Sequence, residues 1–81
     1  MTLEQLRKII YTGREMELSY RGKDYSLTYY NDSRKDYISF CEFDMDVLDI
    51  CDADSLWNST YHGIKVSDIF ESLGQNDYSL F

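Results

Sequence analysis

Two segments with a strict period of two meet at one glycine, and this pattern constrains the fold more than any other feature of the chain. Met16, Leu18 and Tyr20 alternate with Glu15, Glu17, Ser19 and Arg21, and then Tyr25, Leu27 and Tyr29 alternate with Ser26 and Thr28. Successive side chains of a strand point to opposite faces, so each segment has the pattern of a half-buried strand. Arg21-Gly22-Lys23 joins them through a glycine suited to a tight turn, which predicts a β-hairpin. After the polar cluster Asn31 to Asp36, the segment Tyr37 to Phe43 is rich in strand formers and offers Ile38 and Phe40 to one face. The three strands make an antiparallel meander.

Helical signals flank the meander. Thr2 followed by Gln5 has the form of a capping box, Leu3, Leu6 and Ile10 recur at helical spacing with Ile9 beside them, and Gly13 stands where a left-handed residue closes a helix. Farther on, Asp54 is placed to cap a short helix through Leu56, Trp57 and Tyr61, which Tyr61-His62-Gly63 ends. Ser67 is placed to cap a last helix with Val66, Ile69, Phe70 and Leu73 inward and Gly74 at its close. Asp44 to Asp54 fits neither period, and its conformation stays open. Gln75 to Phe81 has no pattern and is expected to fray, or to use Tyr78, Leu80 and Phe81 in docking or in contact with a partner. The expected architecture is a small single α+β domain over residues 1–81: an N-terminal helix, a three-stranded antiparallel β-meander, and one or two short helices on one sheet face.

Eighty-one residues suffice for one domain and not for two, and a chain of this size buries roughly 60–65% of the surface its unfolded form exposes. With 43% hydrophobic and 16% aromatic residues, disorder is not expected. No apolar run approaches the roughly 18–20 residues needed to cross a bilayer, and no secretory pattern opens the chain, so the protein is expected in the cytoplasm, off the membrane. Cys41 and Cys51 are then expected to be reduced and partly buried.

Charge is segregated. Between Asp36 and Ile64 there is no lysine or arginine and there are seven carboxylates: Asp36, Glu42, Asp44, Asp46, Asp49, Asp52 and Asp54. That stretch accounts for the whole net charge of −7. Concentrated like charges favour neither helix nor sheet, so the asymmetry points to a basic partner.

The acids do not form a calcium loop. Counted from Asp44, the sixth place of an EF-hand is Asp49 where glycine is needed, and the twelfth is Ser55 where glutamate is needed. Cys41, Cys51 and His62 lack the close spacing of small zinc modules, and no glycine-rich phosphate loop is present. Cys41 or a serine with the lone His62 has no nucleophile elbow around it, so no catalytic, metal or cofactor residue is assigned and an enzyme is not expected. His62 beside Gly63 has the setting of an exposed turn residue.

Eight tyrosines are the second unusual feature. Tyr20, Tyr25, Tyr29, Tyr30 and Tyr37 fall on the strands, where aromatic pairs stabilise a sheet and exposed members anchor interfaces. Aromatic strands that bind single-stranded nucleic acid need a positive groove, which a chain of pI near 4.4 lacks, so no direct nucleic-acid binding is expected.

The segments Gly13-Arg14-Glu15-Met16-Glu17-Leu18-Ser19-Tyr20, Tyr37-Ile38-Ser39-Phe40-Cys41-Glu42-Phe43 and Ile64 to Leu73 resemble a group of short, acidic, mostly uncharacterised α+β proteins of Gram-positive bacteria and their phages or prophages. The resemblance spans most of the chain, rests on strand and helix patterns, and carries over no site residue. It implies an origin in mobile elements. Small acidic phage proteins include inhibitors of host defence, such as anti-CRISPR and antirestriction proteins, some of which imitate phosphate charge.

Two functions are therefore expected. In the first, a non-enzymatic interaction domain presents Glu42, Asp44, Asp46, Asp49, Asp52 and Asp54 to a basic surface, such as that of a nucleic-acid-binding protein, with Trp57 and exposed tyrosines as apolar anchors. In the second, an assembly module forms a homodimer through a tyrosine-bearing sheet face, and the acids keep it in solution.

Overall fold

The computed structural model describes residues 1–81. α1 (Leu3–Tyr11) starts at the capping box. The Thr2 hydroxyl accepts the Gln5 N–H at 3.2 Å, and the Gln5 side chain accepts the Thr2 N–H at 2.8 Å. Its end is equally local. Gly13, at φ +69°, donates to the Ile10 carbonyl and Arg14 donates to that of Ile9, the paired bonds of a Schellman closure that needs a left-handed residue at this point.

β1 (Met16–Tyr20) and β2 (Lys23–Asp32) form the expected hairpin. Arg21 and Gly22 both have positive φ, 50° and 77°, so the turn is of the primed type whose twist matches the strands. β3 (Lys35–Glu42) runs antiparallel to β2 through a second two-residue turn at Ser33-Arg34.

The meander is the centre of a larger sheet. β4 (Leu48–Ile50) pairs with β3 and β7 (Tyr78–Leu80) pairs with β1, giving five antiparallel strands in the order β4-β3-β2-β1-β7 where three were predicted. Of the two arrangements expected for residues 75–81, the tail is placed in the docked one. A 3-10 turn at Gln75–Asp77 leads into β7, Tyr78 and Leu80 pack on the core, and the Phe81 N–H donates to the Glu15 carbonyl at 2.8 Å. Two apolar residues at spacing two are enough to extend the core, and the strand occupies backbone groups of β1 that would otherwise be unpaired.

α2 (Ala53–Trp57), the small hairpin β5 (Thr60–Tyr61) and β6 (Ile64–Lys65), and α3 (Val66–Glu71) fill the interval before the tail. Asp52, not Asp54, caps α2, its carboxylate accepting the Ser55 N–H at 2.7 Å. Tyr61-His62-Gly63 does not end that helix, which closes at Asn58, but makes the β5–β6 turn. α3 opens at Val66 without a side-chain cap, ahead of Ser67, and closes at Ser72, ahead of Gly74.

All three helices cover one face of the sheet. Leu6, Leu56, Val66, Ile69 and Phe70 meet Met16, Leu18, Tyr25, Leu27, Ile38 and Phe40 in one core. Phe40 is its hub: ring centroids of Tyr25, Tyr61 and Phe70 lie 5.6, 5.6 and 5.7 Å away. The buried Tyr61 hydroxyl accepts the Glu42 N–H at 3.1 Å and donates to the Asp46 carbonyl at 2.6 Å, tying the end of β3 to the acidic loop. No helix is long and apolar enough to cross a membrane.

Candidate protein-interaction face

Strand alternation assigns Glu17, Ser19, Asp24, Ser26, Thr28, Tyr30, Tyr37, Ser39, Cys41, Asp49 and Ser79 to the face that no helix covers. Its floor is small: Ser26, Thr28, Ser39 and Cys41 lie in the middle strands, half-buried by their neighbours. Two shallow depressions flank Glu17. One, of about 240 Å³, includes Ser19, Asp24 and Phe43 in its lining; the other, of about 280 Å³, includes Ser26, Thr28 and Phe81. Phe43 and Phe81 are 44% and 63% exposed, large values for aromatic side chains. Tyr30 and Tyr37 stack across β2 and β3 with centroids 5.1 Å apart and close the far end.

The face is electrostatically one-sided. Its strand positions include Glu17, Asp24, Asp32 and Asp49, against one cation, Lys35, at the tip of the β2–β3 hairpin. Local hydroxyls hold two of these acids: Ser19 donates to Asp24 at 2.8 Å and Ser39 to Asp49 at 3.2 Å. Neither hydroxyl neutralises charge. The Tyr30 phenol is pushed up by desolvation and then by the Asp49 carboxylate beside it.

The sequence-assigned acids have separate fates. Asp49 stands on the open face. Glu42 ends β3 on the covered side, opposite Tyr25. Asp44, at φ +63°, and Asp46 lie in the loop to β4, where Met45 and Val47 are also exposed. The Asp46 carboxylate faces Nε2 of His62 at 3.5 Å, and the exposed His62 ring stacks on Tyr61 at 4.1 Å. Asp52 is the α2 cap, and Asp54 receives a two-pronged bond of 2.8 Å per arm from Arg7 of α1. Hydrogen bonds from Arg7 hold the Asp54 carboxyl below its usual range, and those same bonds, with a further one to Glu4, raise the Arg7 guanidinium.

Trp57 is half-buried, its ring stacked on Phe70 at 6.3 Å, so the exposed aromatic groups of the open face are instead Phe43, Phe81 and Tyr30, while the exposed Tyr11 belongs to α1. Tyr20, Tyr25 and Tyr29 belong to the covered face; burial and then Glu15 push the Tyr29 phenol up to about 12. Cys41 and Cys51 are free thiols, the first half-buried beside Ser26 and the second exposed, in place of the partial burial expected for both. Glu17, Asp24 and Phe43 were not assigned a role from sequence, although the period of two already puts Glu17 and Asp24 on the polar side of the hairpin; Phe81 is read there as a docking or partner-contacting residue.

No group of three or more histidine, cysteine or carboxylate side chains comes together as a metal would require. Set against protein-family models, curated proteins and solved structures, the chain matches none of them.

Proposed function

We propose that the protein is a non-enzymatic interaction domain whose open sheet face docks on a basic protein surface. One observation carries this reading: Glu17, Asp24 and Asp49 share an uncovered face with the exposed rings of Phe43 and Phe81, over a floor of small residues. Carboxylates steer a cationic partner and set its orientation, while aromatic groups at the rim supply the desolvated contact that charge alone lacks. Asp44 and Asp46 on the adjoining loop extend the same potential. A basic surface that ordinarily meets phosphate is the partner class that fits, which makes a phage-borne inhibitor in the cytoplasm the specific form of the proposal.

The same charges weigh against the homodimer, because self-docking of this face brings Glu17, Asp24 and Asp49 against their copies. Titration with oligolysine, followed by amide chemical shifts, tests the face. Shifts are expected to centre on Glu17, Asp24 and Asp49 and to vanish in high salt. Equal shifts at Glu4 of α1 and Glu71 of α3, which lie off the face, contradict it.

A further inference from the structure

We propose that the free edge of β4 accepts a sixth strand from the partner: an extended segment with one lysine or arginine beside Asp49 and apolar residues two positions to either side. This rests on the reading of the open face as a docking surface for a basic partner, and adds how that partner is held.

Register decides which backbone groups are free. Phe43 donates to the Asp24 carbonyl at 2.9 Å, so the hydrogen-bonded pairs between β2 and β3 are Ser26 with Cys41 and Thr28 with Ser39. Ile38 and Phe40 therefore turn their backbone groups toward β4, where Ile50 and Leu48 meet them. The Glu42 N–H, next in that series, is taken by the Tyr61 hydroxyl, as the alternation requires. Asp49 is left with its N–H and C=O pointing away from the sheet. No turn or loop hydrogen bond reaches the backbone of Val47, Asp49 or Cys51, and all three residues are exposed. An edge of this kind is the template used in strand addition.

Asp49 selects what can be added. A residue directly opposite in the new strand has its Cβ about 5 Å from that of Asp49 and on the same face. A lysine or arginine there is attracted, an acid is repelled, and self-pairing about Asp49 would set the carboxylate against its own copy. Residues two positions away fall beside Val47, which is 56% exposed, and Cys51, so apolar side chains suit those places. The other edge offers no such choice. The outward groups of β7 belong to Tyr78 and Leu80, and the strand Tyr78–Leu80 has no charged side chain.

The probe is a blocked seven-residue peptide with valine, lysine and valine at alternate positions and threonine elsewhere, read by amide exchange of Asp49 in the full chain. At saturation the lysine peptide is expected to slow that amide by at least about tenfold. Replacing its lysine by glutamate, or methylating its central backbone nitrogen, is expected to abolish the effect, and Asp49→Lys to reverse the preference between lysine and glutamate. Binding of the lysine peptide without slowing of the Asp49 amide overturns the edge assignment while leaving the open-face reading intact. Equal binding of lysine and glutamate peptides, or no binding at millimolar concentration, also overturns it. The open-face reading fails on a different result: a Glu17→Lys, Asp24→Lys, Asp49→Lys variant that keeps its partner.

Discussion

The two faces of one sheet are built by the same strands and the same alternation, yet they serve opposite ends. The covered face sets Met16, Leu18, Tyr25, Leu27, Ile38 and Phe40 against three helices, and no polar side chain is buried there without a partner. The open face sets Ser26, Thr28, Ser39 and Cys41 beneath exposed Phe43 and Phe81, and its strand acids Glu17, Asp24, Asp32 and Asp49 face one strand cation, Lys35 opposite Asp32. The acids most visible in the sequence are not the ones gathered on it. Asp52 and Asp54 hold α2 in place, whereas Glu17 and Asp24, outside the acidic stretch, join Asp49 on the open side. Local charge density along a chain is therefore a poor map of surface charge, because capping and ion pairing draw carboxylates into the fold.

If the faces differ as described, substitutions on them separate by size. Phe40→Ala, at the hub of three aromatic contacts, is expected to lose about 3–5 kcal/mol in urea unfolding, whereas Ser39→Ala, its neighbour on the other face, should stay within about 0.5 kcal/mol. Comparable losses would erase the distinction. Tyr61→Phe comes next. It leaves the Glu42 N–H and the Asp46 carbonyl without their buried partner, and about 1–3 kcal/mol should disappear, again by urea unfolding.

Asp52→Ala should cost about 1 kcal/mol through the lost α2 cap, while Asp49→Ala, on the open edge, should barely move the midpoint. An equal effect of the two would place Asp49 among the structural acids. Alkaline pH reads the covered face through Tyr29. Tyr29 titrates near 12 in the folded chain and near 10 unfolded, so its contribution is complete below about pH 10 and fades as pH rises through 12. Tyr29→Phe should flatten that part of the stability profile.

Much of the covered face was legible in the sequence, because its signals are local and redundant. The alternation in Met16–Tyr20 and Tyr25–Tyr29, the glycine at 22 and the capping box at Thr2 each state one geometry, and they agree. β4 and β7 were not legible. Each is three residues long, too short for a period to stand out, and each exists because a neighbouring strand offers an edge and the core offers a place for its apolar residues. The α2 cap was misplaced by two residues because Asp52 and Asp54 both precede the same apolar pair, Leu56 and Trp57, and only the bond to Ser55 distinguishes them. Trp57 was expected at the surface, but its packing partner, Phe70, lies thirteen positions away in another helix. The proposed docking face is composite for a similar reason: Glu17, Asp24, Phe43, Asp49 and Phe81 come from five segments brought together by pairing.

The most direct test of the open face is affinity capture from cell lysate with the wild-type chain and the Glu17→Lys, Asp24→Lys, Asp49→Lys variant side by side, eluted with salt and identified by mass spectrometry. All three residues are exposed, so the three changes together are expected to leave the variant folded and within about 1.5 kcal/mol of wild type. The account predicts a basic protein held by the wild-type chain, released as salt rises, and missing from the variant. Recovery of the same protein by the folded variant, at the same salt, would contradict it.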